Sequence, residues 1–474
     1  MREVGQGTVL RIQADYKRFY PLQPYDTYND ERKTGTGFLM AIGNRVWVVT
    51  AHHVVSHAVR VTATTPKHLD GEPRELVLRG CNPHLDVAIL SGPDDLMRLP
   101  VFRGSETSHL TLGHGIYVLG HGKGTLRLHH TRGGISGRRG YPHNRWQTDA
   151  VVHPGNSGGP VLDEATGCVL GVITSGEDDV QSTNYFVGRD EAVRALSRAL
   201  QGTTHIDLGY ELDALVAPVD THACGGLPGG ALVVHALEDS ALQPGDVVRA
   251  VHDGKQVCSL NAYMRVQTPA VCTFDTIDFR TLLDNVDAPT MVMRVRRAGE
   301  REERDVRVPL AASRVGAREI FVDCEPMPYV TMGGLVVVML SKTHENDEDH
   351  TDGAIRRTLR NPDVALHSRP MISHVLSGSP FARHGAITLV RSLVVAVNNA
   401  PVKTLEDVWC EYLKPCSHVL LTLDNGARVG ASQSNLEAYD KTSDPPAGMH
   451  VADRRTIATP RGRKRLRFQD EADC

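Results

Sequence analysis

The chain has 474 residues, too many for one ordinary domain, and at roughly 150 residues per domain about three are expected. Its 52 Lys and Arg against 56 Asp and Glu leave a net charge of −4, so bulk electrostatics recruits neither nucleic acid nor a membrane surface. Nine scattered cysteines with no CxxC indicate neither a disulfide framework nor a thiolate zinc site, and reduced thiols are expected.

The opening residues, MREVGQGTVLRIQADYKRF, carry charges where a signal peptide needs an apolar run, and no stretch approaches the ~18 apolar residues of a membrane span. The expectation is a soluble intracellular protein, in the cytoplasm or nucleus, not secreted and not membrane-bound. From Thr34 to about Val187 short apolar runs (GFLMAIG, RVWVVT, DVAILSG, GIYVLGHG, GCVLGVITSG) are punctuated by Gly, Asn and Pro, an all-β pattern. The stretch DEAVRALSRAL, residues 190–200, has apolar residues at three- and four-residue spacing and predicts a helix that closes a first domain, 1–202.

A second β-rich segment, 203–312, includes two alternating runs around Ala298-Gly299 that predict a hairpin. A third, 313–435, repeats its grammar loosely: "GDVVRAVHDGKQVCSL" against "RSLVVAVNNAPVKTL" is a degenerate internal repeat, so two related modules are expected. Within it THENDEDHTDG, 343–353, reads as a surface loop whose acids lack EF-hand spacing. The tail, 436–474, is polar and predicted disordered, and its segment 454–467 holds seven Lys/Arg and no acid. That segment suits a nuclear-import signal or a weak nucleic-acid patch, and otherwise a solvated tail.

Three fragments stand in the order His, Asp, Ser: VVTAHHVV (48–55), DVAIL (86–90) and QTDAVVHPGNSGGPVL (147–162). Acyl transfer by a serine needs a base for the hydroxyl proton, an acid to hold the base's tautomer and amide N–H groups aimed at the oxyanion. In PGNSGGP the glycines permit the sharp turn that exposes Ser157 and points amides of the Gly155, Asn156, Ser157 loop into one pocket. The order and spacing of the fragments fit a β-barrel peptidase with its triad between two barrels.

At these residues the chain resembles the trypsin-like superfamily and specifically the HtrA/Deg serine peptidases, with a plant-type Deg flavour in the second module's GGLVVVML and VVAVNNAPVKTL. The resemblance covers roughly residues 35–430. It implies a mainly β chain: a trypsin-like double β-barrel followed by two PDZ-like α+β modules. It implies His53 as general base, Asp86 as its orienter and Ser157 as nucleophile. His52 stands beside His53, so two imidazoles compete, and the offset from Thr50 selects His53. His153 stands where these proteins usually have Asn. Asn156 replaces the Asp that zymogen-type trypsins pair with a new N-terminus, and Val54 replaces a cysteine of secreted trypsins. The residue six before the nucleophile lines the primary pocket in this superfamily. Here it is Val151, so cleavage after aliphatic or other uncharged side chains is expected, with Thr174, Ser175 and Gly176 as the edge that pairs with substrate.

The resemblance further implies carboxylate-capturing loops at Leu208, Gly209 and Tyr210 in the first module and Gly333, Gly334 and Leu335 in the second. Partners would then be unfolded or C-terminal peptide segments, and the assembly a trimer-based homo-oligomer. Nucleic acid could enter only through the 454–467 tail, and no membrane is involved. No cofactor or metal is expected: His53-x3-His57 lacks the Glu that an HExxH zinc site needs, Val54 standing in its place. The function expected is ATP-independent endoproteolysis of unfolded or damaged proteins. Its rivals are a protease-dead PDZ scaffold or chaperone and a narrow processing protease directed by the basic tail.

Overall fold

The computed structural model describes residues 9–23, 27–65, 72–107, 110–139, 145–176, 183–202, 205–219, 229–252, 256–266, 277–284, 286, 288–312, 316–321, 327–346, 353–383 and 389–442. Strands β1 (Val9–Phe19), β2 (Thr27–Ile42), β3 (Arg45–Thr50), β4 (Ala58–Thr64), β5 (Arg74–Asn82) and β6 (Val87–Ser91) close one barrel in the order β1-β2-β3-β6-β5-β4. Strands β7 (Gly115–Gly120), β8 (His129–Arg139), β9 (Arg145–Thr148), β10 (Pro160–Asp163), β11 (Val169–Gly176) and β12 (Asn184–Gly188) close a second, β10-β11-β12-β9-β8-β7. Closure leaves no open edge on either ring. In β7 the alternation of GIYVLG puts Ile116 and Val118 inside, against Trp146, Leu170 and Phe186. The double barrel that the resemblance implied is therefore present.

Between β3 and β4 lies a one-turn helix, α1 (His52–Val55), and after β12 comes α2 (Arg189–Gln201). The helix expected at 190–200 is α2, whose buried face Ala192, Ala195, Leu196 and Ala199 follows the helical repeat. That face joins the core built on Phe38, Val49 and Ile89. Gly80 allows the close approach: a Cβ there would sit 3.2 Å from the Ala199 methyl.

The chain divides into two compact units, Met1–Lys17 with Asp30–Ser313, and Arg18–Asn29 with Arg314–Cys474. The first therefore holds both barrels and the first module, with no break at 202. That module is a sheet of Ala214–Pro218, Ala231–Ala236, Val247–His252, Thr290–Arg296 and Glu303–Pro309, covered by Phe279, Leu282 and Leu283. Arg296 pairs with Glu303 across the hairpin expected at Ala298-Gly299. In the second unit one sheet holds Tyr329–Met332, Leu335–Met339 and Pro370–Val375, and another Ala400–Pro401, Val394–Val397, His418–Leu423 and Arg428–Ser432. Its helix Leu405–Tyr412 starts at a capping box, Thr404 Oγ1 accepting from Asp407 N–H while Asp407 accepts from Thr404 N–H.

Two sequence expectations fail here. The tail was expected to begin at 436, but a helix runs over Gln433–Thr442 with Leu436 fully buried, because Leu436 packs into the module's core. Residues 443–474, with the basic stretch 454–467, lie outside the described residues. Of the surface loop expected at 343–353, residues 347–352 lie outside the described residues, and its start forms a 3-10 turn, Lys342–Asn346, that buries His344. Its Nδ1 accepts from Ser341 N–H at 3.1 Å and lies 2.8 Å from Ser341 Oγ, a role only the neutral ring can fill.

Burial pushes His344 down to about 4 from its usual 6.5. A depressed pKa contributes stability that is complete above 6.5 and lost as pH falls toward 4, on the order of 3 kcal/mol here. Urea unfolding between pH 7 and pH 4 should show this loss in the second unit's transition, and His344→Asn should flatten it.

Candidate active site

At the end of β3 the chain turns into α1, where neighbouring residues point about 100° apart. His52 consequently goes into the core at 5% exposure, and the His53 ring is half exposed. Asp86 lies in the tight turn between β5 and β6, in the left-handed region at φ +61, with its N–H donating to Pro83 O. Asp tolerates that conformation better than most residues. The turn is braced by Asn82 Oδ1, which accepts from Leu85 N–H. Asp86 Oδ2 lies 2.7 Å from His53 Nδ1, and Oδ1 accepts from His53 backbone N–H at 2.8 Å. The carboxylate thus fixes both ring and backbone, and a proton on Nδ1 leaves Nε2 as the acceptor.

Ser157 stands on the loop between β9 and β10. Gly155 and Gly158 adopt φ +96 and +83, and a Cβ at Gly158 would fall 2.2 Å from Thr36 O and Thr50 Oγ1. The peptide planes around Ser157 are tied through their carbonyls. Pro154 O accepts from Lys123 N–H at 2.6 Å, Gly155 O from Thr36 Oγ1 at 2.6 Å and Asn156 O from Gly159 N–H at 2.9 Å. Because C=O and N–H point oppositely across a trans peptide, these bonds set the directions of the Gly155 and Ser157 amides. Among the described residues those two amides have no hydrogen-bond partner, whereas Asn156 N–H donates to His153 O. Asn156 is therefore not an available oxyanion donor, contrary to the sequence expectation. No hydrogen bond joins Ser157 Oγ to His53 among the described residues; such bonds often tighten only with substrate bound.

A family model for the trypsin-like peptidase domain matches residues 35–172. The serine protease HhoA of Synechocystis is 30% identical over 200 residues, 40% of this chain and 48% of that protein. A DegP-like protein of Chlamydia trachomatis, named as a periplasmic serine endoprotease, is 28% identical over 285 residues, 52% of this chain and 55% of the other. A solved variant of the HtrA-type protease AlgW with a decapeptide shares the fold over 65% of this chain and 95% of its own, at TM-score 0.50 and 18% identity. Over these residues the chain carries a trypsin-like peptidase domain, and it is similar to the HtrA/Deg serine proteases. It spans about half the length of the curated relatives it matches.

Val151, 49% exposed, precedes the loop that carries Ser157. Thr174 is buried at an irregularity of β11, and Ser175 and Gly176 pair with Tyr185 and Asn184 of β12. The pairing of β11 with β10 ends at Val172, so past Ile173 the other edge of β11 has no strand partner among the described residues.

In each expected carboxylate loop one glycine amide already has an internal partner. Gly209 N–H donates to Asp207 Oδ1, and Asp207 is itself gripped by Arg198 Nε and Nη2 and by Asn82 Nδ2. Leu208 is buried, and Tyr210 pairs with Ala312. Gly333 and Gly334 form a two-residue hairpin turn, both at positive φ, between Met332 and Leu335. There Gly333 N–H donates to Asp440 Oδ1, Tyr412 OH donates to Asp440 Oδ2, and a Cβ on Gly334 would meet Ser379 at 2.2 Å. In each module an aspartate of the chain itself accepts from one glycine amide of the loop expected to capture a peptide carboxylate.

The expected cytoplasmic or nuclear location is also overturned, because the DegP-like relatives of Chlamydia trachomatis and Pseudomonas putida are named periplasmic. That expectation leaned on the charged opening residues, the scattered thiols and a basic tail. Address signals are short segments apart from the folded core, so core composition carries no compartment information.

Sequence reading passed over Thr36 and Lys123, which hold the nucleophile loop from outside it. Their only signal is a GTG within a strand and a Gly-flanked lysine, patterns with no chemistry of their own. Gly158→Ala should destabilise the chain by at least ~2 kcal/mol in chemical denaturation, since both its φ and the 2.2 Å contacts resist a methyl.

Proposed function

We propose that this chain is a serine endopeptidase in which Ser157 attacks the scissile carbonyl, His53 is the general base and Asp86 orients it. The observation that carries the reading is the double hold of Asp86 on His53, through ring and backbone together. In the first step His53 Nε2 takes the Ser157 hydroxyl proton as Oγ bonds to the carbonyl carbon. The oxyanion is met by the amides of Gly155 and Ser157, which need no reorganisation at the moment of reaction. His53 then returns the proton to the leaving amine, the C–N bond breaks, and water hydrolyses the acyl-enzyme by the same route.

Val151 beside the nucleophile loop supports uncharged aliphatic residues before the cut, and the open edge of β11 supports pairing with an extended substrate backbone. An extended backbone is what an unfolded protein offers, and such substrates are the proposed class. The names of the relatives support a periplasmic or secreted-type setting.

The test is hydrolysis of an unfolded protein and of a peptide series with Val, Leu, Lys or Arg before the bond. We expect Val or Leu to exceed Lys and Arg by at least ~10-fold in kcat/KM. Cleavage only after Lys or Arg would contradict the pocket assignment. Asp86→Asn keeps the backbone bond to His53 but favours the wrong tautomer, so kcat should fall by roughly 10⁴ with KM little changed. An Asp86→Asn enzyme as fast as wild type would remove the triad assignment.

A further inference from the structure

We infer that Thr36 is a positioning residue of this peptidase, aiming the oxyanion amides through the Gly155-Asn156 peptide without touching substrate; the inference rests on the serine-peptidase reading above. Thr36 is fully buried. Its Oγ1 accepts from His121 N–H at 2.9 Å, and its single hydroxyl proton is therefore free to go to Gly155 O, 2.6 Å away. Its backbone N–H donates to Ser157 O at 2.8 Å, and its own carbonyl accepts from Thr50 Oγ1 at 2.7 Å. Thr50 ends β3, directly before the turn that carries His53.

One residue of the first barrel therefore grips the carbonyls of both Gly155 and Ser157 and is tied to the strand end that launches the general base. There is no slack at this junction. A Cβ on Gly158 would meet Thr36 O at 2.2 Å, and one on Gly159 would meet Thr36 Cγ2 at 3.3 Å. The Gly155-Asn156 plane lies between the two donor amides, with Thr36 on its carbonyl and His153 O on its N–H. Without the hydroxyl, one end of that plane is released and Gly155 O is left buried without its donor. The plane then turns at less cost, and the amides on either side lose their aim.

The experiment compares Thr36→Val and Thr36→Ser with wild type, counting competent sites by burst titration and measuring kcat, KM, melting temperature and inhibition by a peptide boronic acid. The boronate forms a tetrahedral adduct on Ser157 and reads the oxyanion site directly. Thr36→Val should lower kcat per competent site by roughly 10- to 100-fold, weaken the boronate by a similar factor and move KM by less than about threefold. Thr36→Ser, which keeps the hydroxyl, should restore kcat to within about threefold of wild type.

A Thr36→Val enzyme that melts earlier yet keeps wild-type kcat per site would overturn the inference. So would a rise in KM alone, or a Ser variant as impaired as Val. Should the Val chain not fold, Thr36→Ala against Thr36→Ser differ only in the hydroxyl and decide the matter in the same way. A wild type that neither titrates nor cleaves overturns the peptidase reading, and the inference with it. An active wild type with indifferent Thr36 variants removes the inference alone.

Discussion

One carboxylate accepts from both the ring and the backbone of one histidine: Asp86 to His53, at 2.7 and 2.8 Å. A ring-only contact would leave the imidazole free to swing with its helix, and a backbone-only contact would leave the tautomer open. Both together give a half-exposed histidine one orientation, which the proposed general base requires. The arrangement depends on Asp86 holding a left-handed conformation in the turn before β6, a local strain that the surrounding barrel keeps in place.

The second requirement of the proposed mechanism, amides aimed at an oxyanion, rests on a different device. The nucleophile loop has no regular secondary structure, so its peptide planes are fixed by bonds from outside, through Lys123, Thr36 and Gly159. The glycines at 155 and 158 let the backbone come this close to its supports. Barrel closure supplies the rigidity behind both halves, and the loops between strands supply the chemistry.

The two modules follow another logic. Each carries the glycine turn expected to capture a carboxylate, and in each an internal aspartate, Asp207 or Asp440, sits on that glycine's amide. In the first module that aspartate also forms part of the ion pair with Arg198 from α2, so the turn is built into the packing of the peptidase unit. The positions were legible in the sequence, but their occupancy was not, because the occupying groups come from other segments.

The same division runs through the whole chain. The apolar runs of β3 and β7 declared strands, and PGNSGGP declared its own turn, because strand and glycine conformation are local properties. The choice between His52 and His53 rested on a spacing argument, and the structure separates them by burial, a tertiary fact. Thr36, the buried His344 and the helix over the expected tail all depend on contacts between distant segments that no local pattern encodes. The most direct test of the account is fluorophosphonate labelling of the purified chain, with the adduct mapped by mass, in wild type and in His52→Ala and His53→Ala variants. Label on Ser157 that is lost in His53→Ala and retained in a folded His52→Ala chain is the expected result. Labelling that survives His53→Ala at the wild-type rate would contradict it.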